Sequence, residues 1–181
     1  MMSAKKKYKF LLLDTGPIIK LFELGLWDIF IDRCNVTLAR TVAEIEAQYA
    51  HGEKKDIRID LEEYEQMGKI KIEDVSLRQM SEFINKFPIN YKETIHSGEK
   101  ETLAFFYYSQ DNWMVCSADK AVYRVLGAMG KAENGVSLEK ILNKIGLSQS
   151  DLEPKYTEKF KNHYTKMGSS DFVQGQGFKS S

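Results

Sequence analysis

Four carboxylates stand where chain geometry could bring them together. Asp14 closes the apolar run FLLLD, and Asp119 follows the apolar run WMVCS by one residue. If both runs are parallel strands, both acids emerge at one edge of a sheet. Glu44 and Glu101 each fall about one turn into a segment of helical character. Carboxylates held close repel one another unless a proton or a cation neutralises them. Magnesium and manganese favour oxygen ligands and keep several waters. A pair of such ions about 4 Å apart can activate water and stabilise the leaving oxygen of a phosphodiester. That chemistry needs no nucleophilic side chain, and the sequence offers no good one. Ser97 follows His96, but without a nucleophile elbow it reads as a helix cap.

Each acid also has a plainer explanation. Asp14 and Asp119 could cap the helices that follow them. Thr41 and Glu44 have the spacing of a capping box. Glu99 and Glu101 could complement a helix dipole. None of these explanations requires the acids to occur in this order relative to the strands, and their joint placement favours a shared metal pocket.

The elements that would position them follow from periodicity. Residues 8–13 read as a buried strand, followed by short helices over 18–23 and 26–33 and a strand over 35–38. Residues 41–50 predict a helix with Val42, Ile45 and Tyr49 on its inner face. The charged stretch 53–65 reads as a loop or solvated face, and 69–75 as a short edge strand. Helices are expected over 77–87, stopped by Pro88, and over 98–109. A second strong strand covers 113–116, then a helix over 118–129. Residues 131–136 could hold one more strand, and 138–145 a helix ended by Gly146. Strands alternating with helices imply a parallel sheet with helices on its faces, and ligands beyond the carboxyl ends of the strands. This organisation gives a domain over 1–146, a helical extension over 147–167 and a mobile Gly/Ser-rich tail over 168–181. In the extension, Tyr156, Phe160 and Tyr164 recur every four residues, a packing stripe more readily than a base-stacking one.

Bulk composition narrows the partners. The 181 residues carry 26 basic and 26 acidic side chains, a formal net charge of zero, which argues against indiscriminate coating of nucleic acid. A nuclease remains open, because bound cations can supply local positive charge. Cys34 and Cys116 lack zinc spacing and read as reduced, buried thiols. His51 and His163 lie in polar surroundings and read as solvated. Lys5, Lys6 and Lys7 read as a solvated terminus that could touch phosphate. The apolar run at 10–13 is too short for a signal segment or a membrane span, so a cytoplasmic protein with no membrane partner is expected.

At the same residues the chain resembles the PIN-domain ribonucleases, including the VapC-type toxins of toxin–antitoxin pairs. The resemblance rests on LLLDTGPIIKLF with Asp14 and Thr15, TVAEIEAQ with Glu44, GEKETLAFFYY with Glu101, WMVCSADKAVYRVL with Ser117 and Asp119, and the closing GVSLEKIL. Together these span about residues 8 to 146 in the family's order. The resemblance implies a three-layer α/β/α fold and a Mg²⁺- or Mn²⁺-dependent endoribonuclease. It implies that Asp14, Glu44, Glu101 and Asp119 surround the metal, with Thr15 and Ser117 as hydroxyl helpers and Glu99 as a rival to Glu101. An RNA substrate, an antitoxin partner and a homodimer are the associations it suggests. Two departures stand out: Glu occupies a third acidic position that is often Asp, and Lys120 follows Asp119 where a further acid sometimes appears.

Two other functions compete. FLLLDTG superficially resembles the start of a haloacid-dehalogenase-type phosphatase, but Gly16 stands where that chemistry needs a second Asp. A PIN scaffold that binds RNA or protein without cutting is the other alternative.

Overall fold

The computed structural model describes residues 8–179, with side-chain surroundings from residue 11 onward; Lys5, Lys6 and Lys7 lie outside the described residues. The first strand, β1 (Tyr8–Leu13), is central. Side chains alternate across a strand. Leu11 and Leu13 accordingly enter one apolar cluster with Ile18, Trp27, Phe30 and Ile141, while Leu12 enters another with Phe83, Leu103 and Val122. Full burial of each such leucine stabilises the fold by about 1.5–3 kcal/mol.

From β1 the chain runs through α1 (Thr15–Glu23) and α2 (Trp27–Arg33) into β2 (Cys34–Ala39), which lies parallel to β1 with Leu11 opposite Val36. The short antiparallel pair β3 (Tyr49–Ala50) and β4 (Ile57–Arg58) leads to α3 (Leu61–Gln66) and the edge strand β5 (Lys71–Glu73). Next come α4 (Leu77–Ile84), α5 (Ile89–Lys92) and α6 (Ser97–Tyr108), then β6 (Met114–Cys116). The last helices are α7 (Lys120–Ala128), α8 (Leu138–Lys144) and α9 (Glu158–Val173). The described residues form a four-stranded parallel sheet in the order β5–β2–β1–β6. Helices cover both faces, an arrangement compatible with three α/β/α layers, as all-parallel sheets require. No helix among the described residues is long and apolar enough to cross a membrane.

Several segments differ from the periodicity reading. Residues 41–50 do not form an α-helix. Val42–Glu46 makes a π-helical turn, closed by the Ala47 amide donating to the Val42 carbonyl at 2.9 Å, and the chain then becomes β3. Val42, Ala43 and Ala47 are buried, whereas Ile45 and Tyr49 are exposed. The stretch 53–65 is not all loop. Asp60 caps α3, accepting from the Glu63 amide at 3.2 Å, and Ile59 and Leu61 anchor it in the core. Residues 131–136 hold a 3₁₀ turn at Ala132–Asn134 and a single parallel bridge between Gly135 and Val115. Cys34 and Cys116 are both buried and not joined in a disulfide.

The C-terminal segment is built into the body. Beyond Gly168, α9 continues to Val173, and Phe178 then packs on Phe87 with ring centroids 5.1 Å apart. The Phe178 amide donates to the Ala128 carbonyl at 3.0 Å. Gly168 lets α9 press on α7, since a Cβ there would lie 1.9 Å from the Arg124 carbonyl oxygen. Composition alone reads GSS as a linker; here small side chains serve close helix packing. Arg124 fixes the same contact by donating to Asp171 at 2.8 and 3.1 Å.

Candidate metal centre

The carboxyl ends of β1 and β6 lie side by side, with Leu13 paired to Cys116. The residues immediately after them, Asp14 and Ser117, are therefore neighbours. Ser117 Oγ donates to Asp14 Oδ2 at 2.6 Å and accepts from the Asp119 amide at 3.0 Å. Tyr123 holds this turn from below, its hydroxyl donating to the Ser117 carbonyl at 2.8 Å. Asp119 caps α7 by accepting from the Ala121 amide at 2.6 Å. Asp14 precedes α1 but its side chain makes no capping hydrogen bond. It is 4% exposed, and its Oδ1 is buried without a hydrogen-bond partner.

The turn at the start of α6 supplies the opposite wall. His96 precedes the helix, and Glu99 reaches back to accept from the His96 amide at 2.9 Å. Sequence pattern assigns that capping position to Ser97; the structure gives it to His96, one residue earlier. Donor atoms of His96, Glu99 and Asp119 lie within 4.8 Å of one another, close enough to share an ion. The resulting cleft, about 460 Å³, is lined by Asp14, Glu46, His96, Glu99 and Asp119, with Lys155 the one lysine lining it among the described residues.

Burial and nearby negative charge leave Asp14 and Glu99 poor acids. Burial pushes Asp14 up from 3.8 to about 6, against the partial relief of its Ser117 hydrogen bond. Glu99 is pushed up to about 7, first by burial and then by the nearby charge of Asp14. The hydrogen bond to Glu99 in turn raises His96 above its ordinary value. A divalent cation would relieve this repulsion and give Asp14 Oδ1 the partner it lacks. A set of carboxylate oxygens with one imidazole nitrogen suits Mg²⁺ less well than Mn²⁺ or another first-row ion.

Of the seven residues picked from sequence, the structure brings Asp14, Glu99 and Asp119 to the cleft, with Thr15 lining it and Ser117 beneath it. It does not bring Glu44 or Glu101 there. Glu44 lies outside, paired with Arg40, because the π-helical turn changes the phase of the segment. Glu46 takes its place on the wall, accepting from Thr15 Oγ1 at 2.6 Å and from the Gly98 amide at 3.0 Å. Gly98 leaves room for that approach: a Cβ would sit 2.4 Å from Glu46 Oε2 and push the carboxylate aside. Glu101 is buried and accepts from the Thr41 amide at 2.8 Å, tying α6 to the end of β2. Two residues along a helix turn the side chain by roughly 200°, so Glu99 and Glu101 cannot face the same cleft. Glu46 and His96 were missed in the sequence; the stretch AEIE offered two acids with nothing to choose between them. Compared with known proteins, the chain matches no family model, no curated protein and no solved structure.

Proposed function

We propose that the chain is a divalent-metal-dependent endoribonuclease of the PIN type, working at the cleft between β1, β6 and α6. The observation that carries this is Asp14: a carboxylate buried at a strand end, with one oxygen unpartnered, beside Glu99 and Asp119. A buried orphan oxygen costs about 1–3 kcal/mol, more when charged, and structural capping does not account for it. The parallel sheet and the order of the acid-bearing segments support the PIN-like assignment.

When bound, the cation supplies Lewis-acid stabilisation of phosphate oxygens and lowers the pKa of a water it holds. Asp14, Glu99, Asp119 and His96 are the residues that would hold it. Ser117 fixes the spacing of Asp14 and Asp119 with one hydroxyl. Thr15 and Gly98 orient Glu46 on the wall, where it is placed to accept a proton from an attacking water. Lys155, exposed at the rim, is placed to meet a phosphate. In-line hydrolysis by this arrangement leaves 5′-phosphate and 3′-hydroxyl ends. The same reading extends to a toxin of a toxin–antitoxin pair, whose antitoxin would bring an Arg to the carboxylates.

The test is cleavage of single-stranded RNA in Mn²⁺ or Mg²⁺. Asp14→Asn and Asp119→Asn should each reduce the rate at least about a hundredfold, Glu44→Gln should leave it unchanged, and chelation should abolish it. Full activity of Asp14→Asn, or activity in excess chelator, overturns the proposal.

A further inference from the structure

Helix α9 carries a surface that the acidic cleft does not use. Lys159, Asn162, His163 and Lys166 are exposed and spaced three, four and seven residues apart, so they form one stripe. Beside the stripe, Phe160 and Tyr164 are half-buried, with ring centroids 4.8 Å apart. Phe160 leans on Tyr123 of the core at 6.3 Å, which holds the pair in place. These side chains line a groove of about 830 Å³ that begins at Pro154. Among the described residues, every ionisable side chain lining it except the Tyr164 phenol is basic. The nearest acid on the same helix, Glu158, is taken up by Lys140, Lys161 and Ser137. A one-sign stripe does not follow from a composition of 26 bases and 26 acids.

The groove and the cleft adjoin the same turn of the chain. Pro154 lines the one and Lys155 the other, and Tyr156 anchors that turn by donating to the Gly16 carbonyl at 3.2 Å. We propose that this face of α9 binds single-stranded RNA flanking the bond held in the acidic cleft, an inference that rests on the nuclease reading. Lysines neutralise the backbone phosphates, and aromatic side chains offer stacking surfaces that tolerate any base. A duplex keeps its bases stacked inside and cannot use the aromatic pair.

The experiment is fluorescence anisotropy with a labelled oligouridylate and the full chain carrying Asp119→Asn to prevent cleavage. In that background, Lys159→Glu with Lys166→Glu should weaken binding at least about tenfold and lower the salt slope by about 1.4, at about 0.7 for each single-strand phosphate contact. Tyr164→Leu keeps an apolar side chain against the core; it should weaken binding about fivefold and leave the salt slope unchanged. Duplex RNA should bind more weakly than the single strand. Both lysines are exposed, so an unchanged melting temperature checks that the charge variant is folded. If the unmutated chain cleaves RNA but the charge variant binds as tightly as its Asp119→Asn background, this inference is wrong and the nuclease reading stands. Preferential capture of an acidic peptide over RNA also overturns it. If the unmutated chain neither binds nor cleaves RNA, the nuclease reading itself fails and this inference with it.

Discussion

Asp14→Asn should make the metal-free protein more stable at pH 8, while removing its response to metal. The folded chain holds the Asp14 proton up to about pH 6, whereas the unfolded chain releases it near 3.8. Below about 3.8 the two states are protonated alike and burial costs no charge. As pH rises from there to about 6, the unfolded state gains solvation that the folded state lacks, so stability falls and then levels off. Moving a carboxyl from 3.8 to about 6 corresponds to about 3 kcal/mol at 1.36 kcal/mol per tenfold in proton affinity. Asparagine has no charge to bury, and its oxygen can still accept from Ser117. Its amide would be left where Asp14 Oδ1 now lacks a partner, a cost of about 1 kcal/mol. The net gain should be about 2 kcal/mol at pH 8 in chelator, and at pH 3.5, where only the amide cost remains, the variant should be about 1 kcal/mol less stable than the parent. Adding Mn²⁺ at a hundred times its Kd should stabilise the parent by about 2.7 kcal/mol and the variant far less. Urea unfolding at the two pH values, with and without Mn²⁺, reads all of this. A variant no more stable than the parent at pH 8, or a parent indifferent to Mn²⁺, would refute the account of this carboxylate.

Two further outcomes are expected. His96→Ala should lower Mn²⁺ affinity about tenfold with little change for Mg²⁺, because it removes the one nitrogen donor from an otherwise oxygen site; loss of nitrogen coupling in the pulsed EPR spectrum of bound Mn²⁺ checks it, and a parent spectrum without that coupling contradicts it. Gly168→Ala should destabilise the fold by about 3 kcal/mol or more, since its Cβ would lie 1.9 Å from the Arg124 carbonyl oxygen; a melting temperature within a degree of the parent's would show that the α7–α9 contact is looser than described.

The sheet was legible because its strands announce themselves. FLLLD and WMVC are short, apolar and bounded, and the acids after them are placed by strand direction alone. The helical acids were less legible because placing them requires knowing phase. Glu44 and Glu46 differ by two residues, and the π-helical turn that selects Glu46 arises from where Ala47 is buried, a tertiary fact. Glu99 and Glu101 pose the same ambiguity, resolved by His96 rather than Ser97 standing at the cap of the helix. The C-terminal segment misled for another reason: glycine and serine look alike in a linker and in a tight helix contact. In Gly168, the neighbouring backbone decides.

The Ser117 hydroxyl touches both Asp14 and the backbone of Asp119. Three positions thus share one bond network, in which Ser117 is the common member. Losses of metal binding from single substitutions there will overlap rather than sum, because each removes part of one shared arrangement.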